Sequence, residues 1–180
     1  MISMPKYLRW LGAALFLASK VMASDIPPMY LIVAKENKVP AKLFYALIMN
    51  ESRTHVSNGR LLPWPWTLNH NGKAHFFAKK SDAYRYAQSL LDSGTENFDV
   101  GLGQMNWRWQ SHRFHDLWDA LDPYANLSAA ARHFREQFDR PECNSWLLAV
   151  GCYHRPGQRL VDKRIAQQYT NKVIDIWSKI

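Results

Sequence analysis

The chain has 180 residues, 47% of them hydrophobic, and carries 23 Lys and Arg against 15 Asp and Glu, a formal charge of +8. The basic residues are scattered, with no run of about five or six like charges, so the balance describes a solvated surface before it describes a nucleic-acid-binding tail. The two cysteines signal neither a cysteine-based metal site nor a catalytic thiol.

Residues 1–23 have the pattern of an export signal. Lys6 and Arg9 give a basic start, Trp10 to Ala18 an apolar run, and Val21 and Ala23 suit the −3 and −1 positions of a cleavage site, with Lys20 an awkward charge between run and site. The run is shorter than the roughly 20 apolar residues of a membrane span, and no cysteine near the cut suits a lipid anchor. Cutting after Ala23 leaves residues 24–180, one domain of 157 residues with enough length for a real core. It also removes Lys6, Arg9 and Lys20, so that 23 basic side chains become 20 against 15 acidic ones, a charge of +5. An exported basic protein with no stable membrane span meets anionic cell-wall and membrane surfaces first.

Asp25, Pro27 and Pro28 mark a helix start, and "MYLIVAKENKV" continues it with an apolar face at Leu31, Ile32 and Val33. Pro40 opens the next helix, which carries Glu51 near its end. In "PWPWTLNHNGKAHFFA" strand-like residues flank Asn71-Gly72, a strong hairpin turn signal. Ser81-Asp82 caps a helix that stops at Gly94, and "FDVGLGQMNWRWQ" places a glycine turn before an aromatic helix. Asp122-Pro123 and Asn126 start "NLSAAARHFREQF", "WLLAVGCYH" is a short buried helix, and "RLVDKRIAQQYTNKVIDIWSKI" a long amphipathic one. The fold class expected is mainly α with one small β-hairpin. In an oxidising compartment Cys143 and Cys152 can pair, closing a short loop worth about 2–3 kcal/mol. Two buried free thiols are the alternative.

Glu51 is the residue that most needs a reason. Phe44, Ile48 and Glu51 lie at i, i+4 and i+7 with Leu43 and Leu47 beside them, so the carboxylate extends an apolar stripe. A half-buried glutamate at a helix C-terminus is disfavoured in its charged form by desolvation and by the helix dipole. Both raise its pKa, as a general acid at neutral pH requires. An exposed glutamate just past the last turn is the plain alternative.

Four segments bear on the choice between these readings. "ES" at Glu51-Ser52, "GLGQMN" from Gly101, "YANLSAAARHF" from Tyr124 and "AVGCYHRPG" from Ala149 occur in the order and rough spacing of the soluble lytic transglycosylases, and nearly all of residues 24–180 resembles that family. The resemblance implies a lysozyme-like fold, related to goose-type lysozyme, and a periplasmic enzyme acting on peptidoglycan glycan strands without metal or cofactor. It makes Glu51 the single acid/base and Ser52 a hydroxyl that orients Glu51 or the sugar. Gln104 of the Gly-Leu-x-Gln element would point into the groove, Asn126 would open the helix behind it, and Tyr153 would lie near the reacting sugar. Three positions depart from the pattern: Gly103 stands where Met is frequent, which implies a more open groove floor, Ala129-Ala130 replace Ala-Gly, and His154 replaces Asn.

The implied chemistry is intramolecular. Glu51 protonates the oxygen between N-acetylmuramic acid and N-acetylglucosamine, the acetamido group stabilises the cation, and Glu51 then takes the C6 hydroxyl proton as a 1,6-anhydro ring closes. Tyr153 could hold the acetamido carbonyl or be a core tyrosine, and Gln104 could be a structural hydrogen-bonder. Trp64, Trp66, Trp107 and Trp109 suit either sugar stacking or core packing. The insertion around Trp64 and Trp66 resembles family versions that accompany conjugation, type IV secretion and pilus machinery, which implies such an apparatus as a partner. Two other readings stand beside this one: a hydrolase using Asp99 or Glu96 as a second carboxylate, and a non-catalytic peptidoglycan-binding scaffold. "NWRWQSHRFH" mixes bases and aromatics as single-stranded nucleic-acid binders do, but the export signal argues against that partner.

Overall fold

A computed structural model describes residues 26–180. The expected export signal, its cleavage site and Asp25 lie outside the described residues. The protein is mainly helical with small antiparallel sheets.

Helix α1 (Pro28–Glu36) starts with Pro28, whose missing N–H costs nothing in a first turn. It buries Tyr30, Val33 and Ala34, and leaves Leu31 and Ile32 exposed. The face expected at Leu31, Ile32 and Val33 is therefore corrected, because three consecutive helical residues cannot share one side while i, i+3 and i+4 can. Helix α2 (Ala41–Ser52) buries every residue from Leu43 to Ile48, as befits a helix that is apolar all round. It packs against α1 and against α8 (Leu160–Ser178).

Strands β1 (Arg53–His55) and β2 (Leu61–Pro63) form a two-stranded pair directly after α2. The expected hairpin is β3 (Thr67–His70) and β4 (Lys73–Phe76), with Asn71 at φ 52° and Gly72 at φ 75° in its turn. Positive φ at both central residues matches the strand twist. The hairpin is not alone, however: β5 (Phe98–Val100) and β6 (Met105–Asn106) extend it to a sheet of order β4-β3-β5-β6. Strands of two or three residues are too short to show a period of two in the sequence.

Helix α3 (Lys80–Asp92) begins ahead of the expected Ser81-Asp82 cap and ends at Gly94, φ 78°. There Gly94 N–H donates to the Leu91 carbonyl and Thr95 N–H to the Leu90 carbonyl, a Schellman close. After the short helices α4 (Trp107–Gln110) and α5 (Leu117–Ala120) comes α6 (Pro123–Phe138), capped by Asp122, which accepts from Ala125 N–H at 3.0 Å. Helix α7 (Trp146–His154) is capped by Ser145. Cys143 and Cys152 are bonded, which settles the choice left open by the sequence.

Two apolar clusters result. The larger joins α1, α2, α6, α7 and α8, and the smaller lies under the four-stranded sheet around Leu68, Phe98, Val100 and Leu121, with Phe114 touching both. Among the described residues no helix is long and apolar enough to cross a membrane.

Candidate active site

Helix α2 delivers Asn50 and Glu51 into a cleft of about 900 Å3. The cleft is also lined by Asp99 of β5, Gln104 to Asn106, Trp109, His133 of α6, Tyr153 and His154 of α7, and Tyr169 and Lys172 of α8. Glu51 is thus not the exposed helix-end residue that its position alone allowed. Burial raises its pKa to about 7, against the opposing hydrogen bond from Tyr169 and with a further push from the charge of Asp99. The carboxyl group holds a proton over much of the neutral range.

Tyr169 is the nearest partner of that carboxyl, and nothing local in the sequence marks it. Its hydroxyl donates to Glu51 Oε1 across 118 residues of chain. His154 stacks flat on the Tyr169 ring, with centroids 4.4 Å apart and planes 5° from parallel. The histidine that departs from the family pattern therefore braces the tyrosine that holds the glutamate. Because a hydrogen bond to the carboxylate favours its charged form, Tyr169→Phe should raise the Glu51 pKa. A carboxyl titration followed by NMR should show the midpoint moved to higher pH; an unmoved midpoint would show that the contact does not govern Glu51.

The glycine turn is held from behind. Asn126 is buried, donates from Nδ2 to the carbonyls of Val100 and Ala120, and accepts at Oδ1 from Gly103 N–H at 2.8 Å. It does not line the cleft but lies behind it, and its bonds position the turn. Gly101 sits at φ 75°, and a Cβ there would fall 2.4 Å from Asn126 Nδ2. Gly103 does not open the groove floor either. A Cβ at that position would meet Ala130 Cβ at 2.5 Å and the Tyr153 hydroxyl at 3.0 Å. Two of the departures from the family pattern thus touch each other, one small residue making room for the other. Gly103→Met should destabilise the fold by about 1–3 kcal/mol in chemical denaturation. Adding Ala130→Gly should recover part of the loss, and no recovery would refute the compensation.

Gln104 turns through φ 46°, uncommon for a residue with a side chain, and its Nε2 donates to the Gly101 carbonyl at 2.8 Å. It both closes the turn and lines the cleft. The Tyr153 hydroxyl donates to the Gly103 carbonyl at 2.7 Å, so its proton is committed to the same turn and not to a sugar. Ser52 is corrected more fully: it is buried, and its hydroxyl donates to the Ile48 carbonyl at 3.2 Å. Trp64 and Trp66 do not line the cleft. Trp64 Nε1–H donates to the Phe77 carbonyl at 2.7 Å, and Trp66 packs on the smaller apolar cluster. Trp107 stacks on Phe98, whereas Trp109, 65% exposed, lines the cleft. Of these four tryptophans, Trp109 is the one that lines the cleft.

Asp99 shares the cleft with Glu51. Burial raises its pKa, and Asn106 Nδ2, donating at 2.8 Å, opposes the rise. Glu96 is exposed and does not line the cleft, so it is no second carboxylate. His133, whose role the sequence did not disclose, lies with its ring 5.0 Å from that of Tyr153, and burial followed by the charge of Arg113 lowers its pKa to about 4. The imidazole is neutral beside the cleft. No family model, curated protein or solved structure matches the chain.

Proposed function

We propose that the protein is an exported, periplasmic lytic transglycosylase of lysozyme-like fold that cleaves peptidoglycan between N-acetylmuramic acid and N-acetylglucosamine. The observation that carries the proposal is Glu51, held near pKa 7 at the end of α2 in a cleft of about 900 Å3. An acid with that pKa can give a proton to the glycosidic oxygen and then, as carboxylate, take one from the C6 hydroxyl. As O6 closes on the anomeric carbon the 1,6-anhydro ring forms, and no water enters. The motifs around Glu51, Gln104, Asn126 and Tyr153 add the family resemblance. The insertion bearing Trp64 and Trp66 fits a role in opening the wall for a conjugation, secretion or pilus apparatus.

A second reading is favoured by one observation: Asp99 lines the same cleft and raises the Glu51 pKa by its charge. A hydrolase would use Asp99 to position water. Muropeptide release from purified peptidoglycan by wild type, Glu51→Gln and Asp99→Asn separates them. The transglycosylase needs Glu51 and keeps most of its turnover in Asp99→Asn, whose lost charge lowers the Glu51 pKa and moves the alkaline limb to lower pH. Loss of release in both variants would favour the hydrolase, and binding without release by wild type would favour the scaffold.

A further inference from the structure

One rim of the cleft carries positive charge that the chemistry at Glu51 does not use. We infer that Arg155 and Lys172 form a subsite for a carboxylate of the substrate's peptide stem. The inference rests on the peptidoglycan reading and names the part of that polymer held at the rim.

Arg155 follows α7 and lines the cleft. Its Nε–H donates to Asp162 Oδ1 at 2.8 Å, while Arg159 Nε–H donates to Asp162 Oδ2 at 2.7 Å. The Asp162 side chain is 3% exposed, and the two guanidinium groups hold its carboxyl well below the usual range. It is a charged anchor for the strap between α7 and α8. Gly157 lets that strap close, since a Cβ there would fall 2.4 Å from Asp162 Oδ2. One carboxylate thus serves two guanidinium groups, and the trio keeps a net positive charge. The bond to Asp162 uses Arg155 Nε and leaves its two terminal nitrogens, on a side chain 46% exposed.

Lys172 lies one helical turn beyond Tyr169, lines the same cleft, and makes no ion pair among the described residues. Both cations act on His154, lowering its pKa after the effect of burial. Two cations and the His154 ring therefore line one cleft, a mutually repulsive arrangement that an anion bound there would relieve. A guanidinium and an ammonium on one rim suit a carboxylate. In intact peptidoglycan the lactyl group is amide-linked, so the free carboxylates belong to the stem.

The test measures affinity in the Glu51→Gln protein, so that no ligand is consumed. Its probes are soluble muropeptides, the same muropeptides with their carboxyl groups capped as methylamides, and stem-free glycan, which exposes the lactyl carboxylate. Native muropeptide should bind about tenfold more tightly than the capped form. Arg155→Ala and Lys172→Ala should each bring that ratio close to one. Lys172 is exposed and unpaired, so its variant leaves the strap intact even if Arg155→Ala loosens it. Equal binding of native and capped ligand, or a ratio that both variants keep, would overturn the inference. So would a variant effect confined to stem-free glycan, which would assign the rim to the lactyl group. Failure of the Glu51→Gln protein, with Arg155 and Lys172 intact, to bind any of the three would overturn the peptidoglycan reading itself.

Discussion

On the proposed mechanism, replacing Glu51 by Gln should lower muropeptide release from purified peptidoglycan by about 10³-fold, at the middle of the range for loss of a general acid and base. The side chain keeps its size and its place beside Tyr169, but it can no longer give up or recover a proton. Both halves of the proposed reaction pass through this one carboxyl, so no neighbour substitutes: the Tyr153 proton is engaged by Gly103, and Asn106 holds Asp99. The check is a rate measured on wild type and variant at pH 6 to 7, together with a circular dichroism spectrum showing the fold intact. A folded variant that keeps more than a tenth of wild-type turnover would remove Glu51 from the mechanism.

The same substitution should stabilise the protein at alkaline pH. The native pKa of Glu51 lies near 7 against an ordinary value of 4.5, so the folded state binds this proton more tightly than the unfolded chain does. That contribution is fully present below about pH 4.5 and is lost as pH rises through 7. Glutamine never ionises. Glu51→Gln should therefore match wild type in acid and exceed it by on the order of 3 kcal/mol above pH 8. Urea midpoints across pH report the difference directly. A constant offset across the whole range would mean that the carboxyl is not held protonated by the fold.

These two expected outcomes pull in opposite directions, as a catalytic group placed against local stability would make them do. Burial at the end of α2 keeps a proton on Glu51 near neutrality at the expense of the fold. Tyr169 tempers the effect, and the stacked His154 keeps Tyr169 in place.

Where chain punctuation is chemical, the sequence disclosed the structure. Asp122-Pro123 begins α6, Gly94 follows α3 and Asn71-Gly72 turns the hairpin, because each needs a side-chain acceptor or a positive φ that few residues supply. Glu51 was legible as a break in an apolar stripe. Short strands β5 and β6 were not, since pairing, of β5 with β3 and of β6 with β5, and not local pattern makes them strands. Tyr169 was hidden for a related reason: on an amphipathic helix a buried tyrosine has the pattern of core, and its contact with Glu51 depends on how α8 crosses α2. Trp64 and Trp66 show the converse error. Aromatic residues at the start of a hairpin suggested a sugar platform, yet they lie in the bend between β2 and β3, where Trp64 bonds the Phe77 carbonyl and Trp66 packs on the smaller apolar cluster. The residues behind the glycine turn were marked by motif but not by role, because only packing distinguishes a side chain that touches a ligand from one that fixes the backbone beside it.

Digestion of purified peptidoglycan in water labelled with heavy oxygen tests the central claim most directly. Ring closure by the C6 hydroxyl consumes no water, so the released muramic acid ends should be one water lighter than reducing ends and free of label. Reducing ends that carry the label would contradict the account and assign bond cleavage to a water activated beside Asp99.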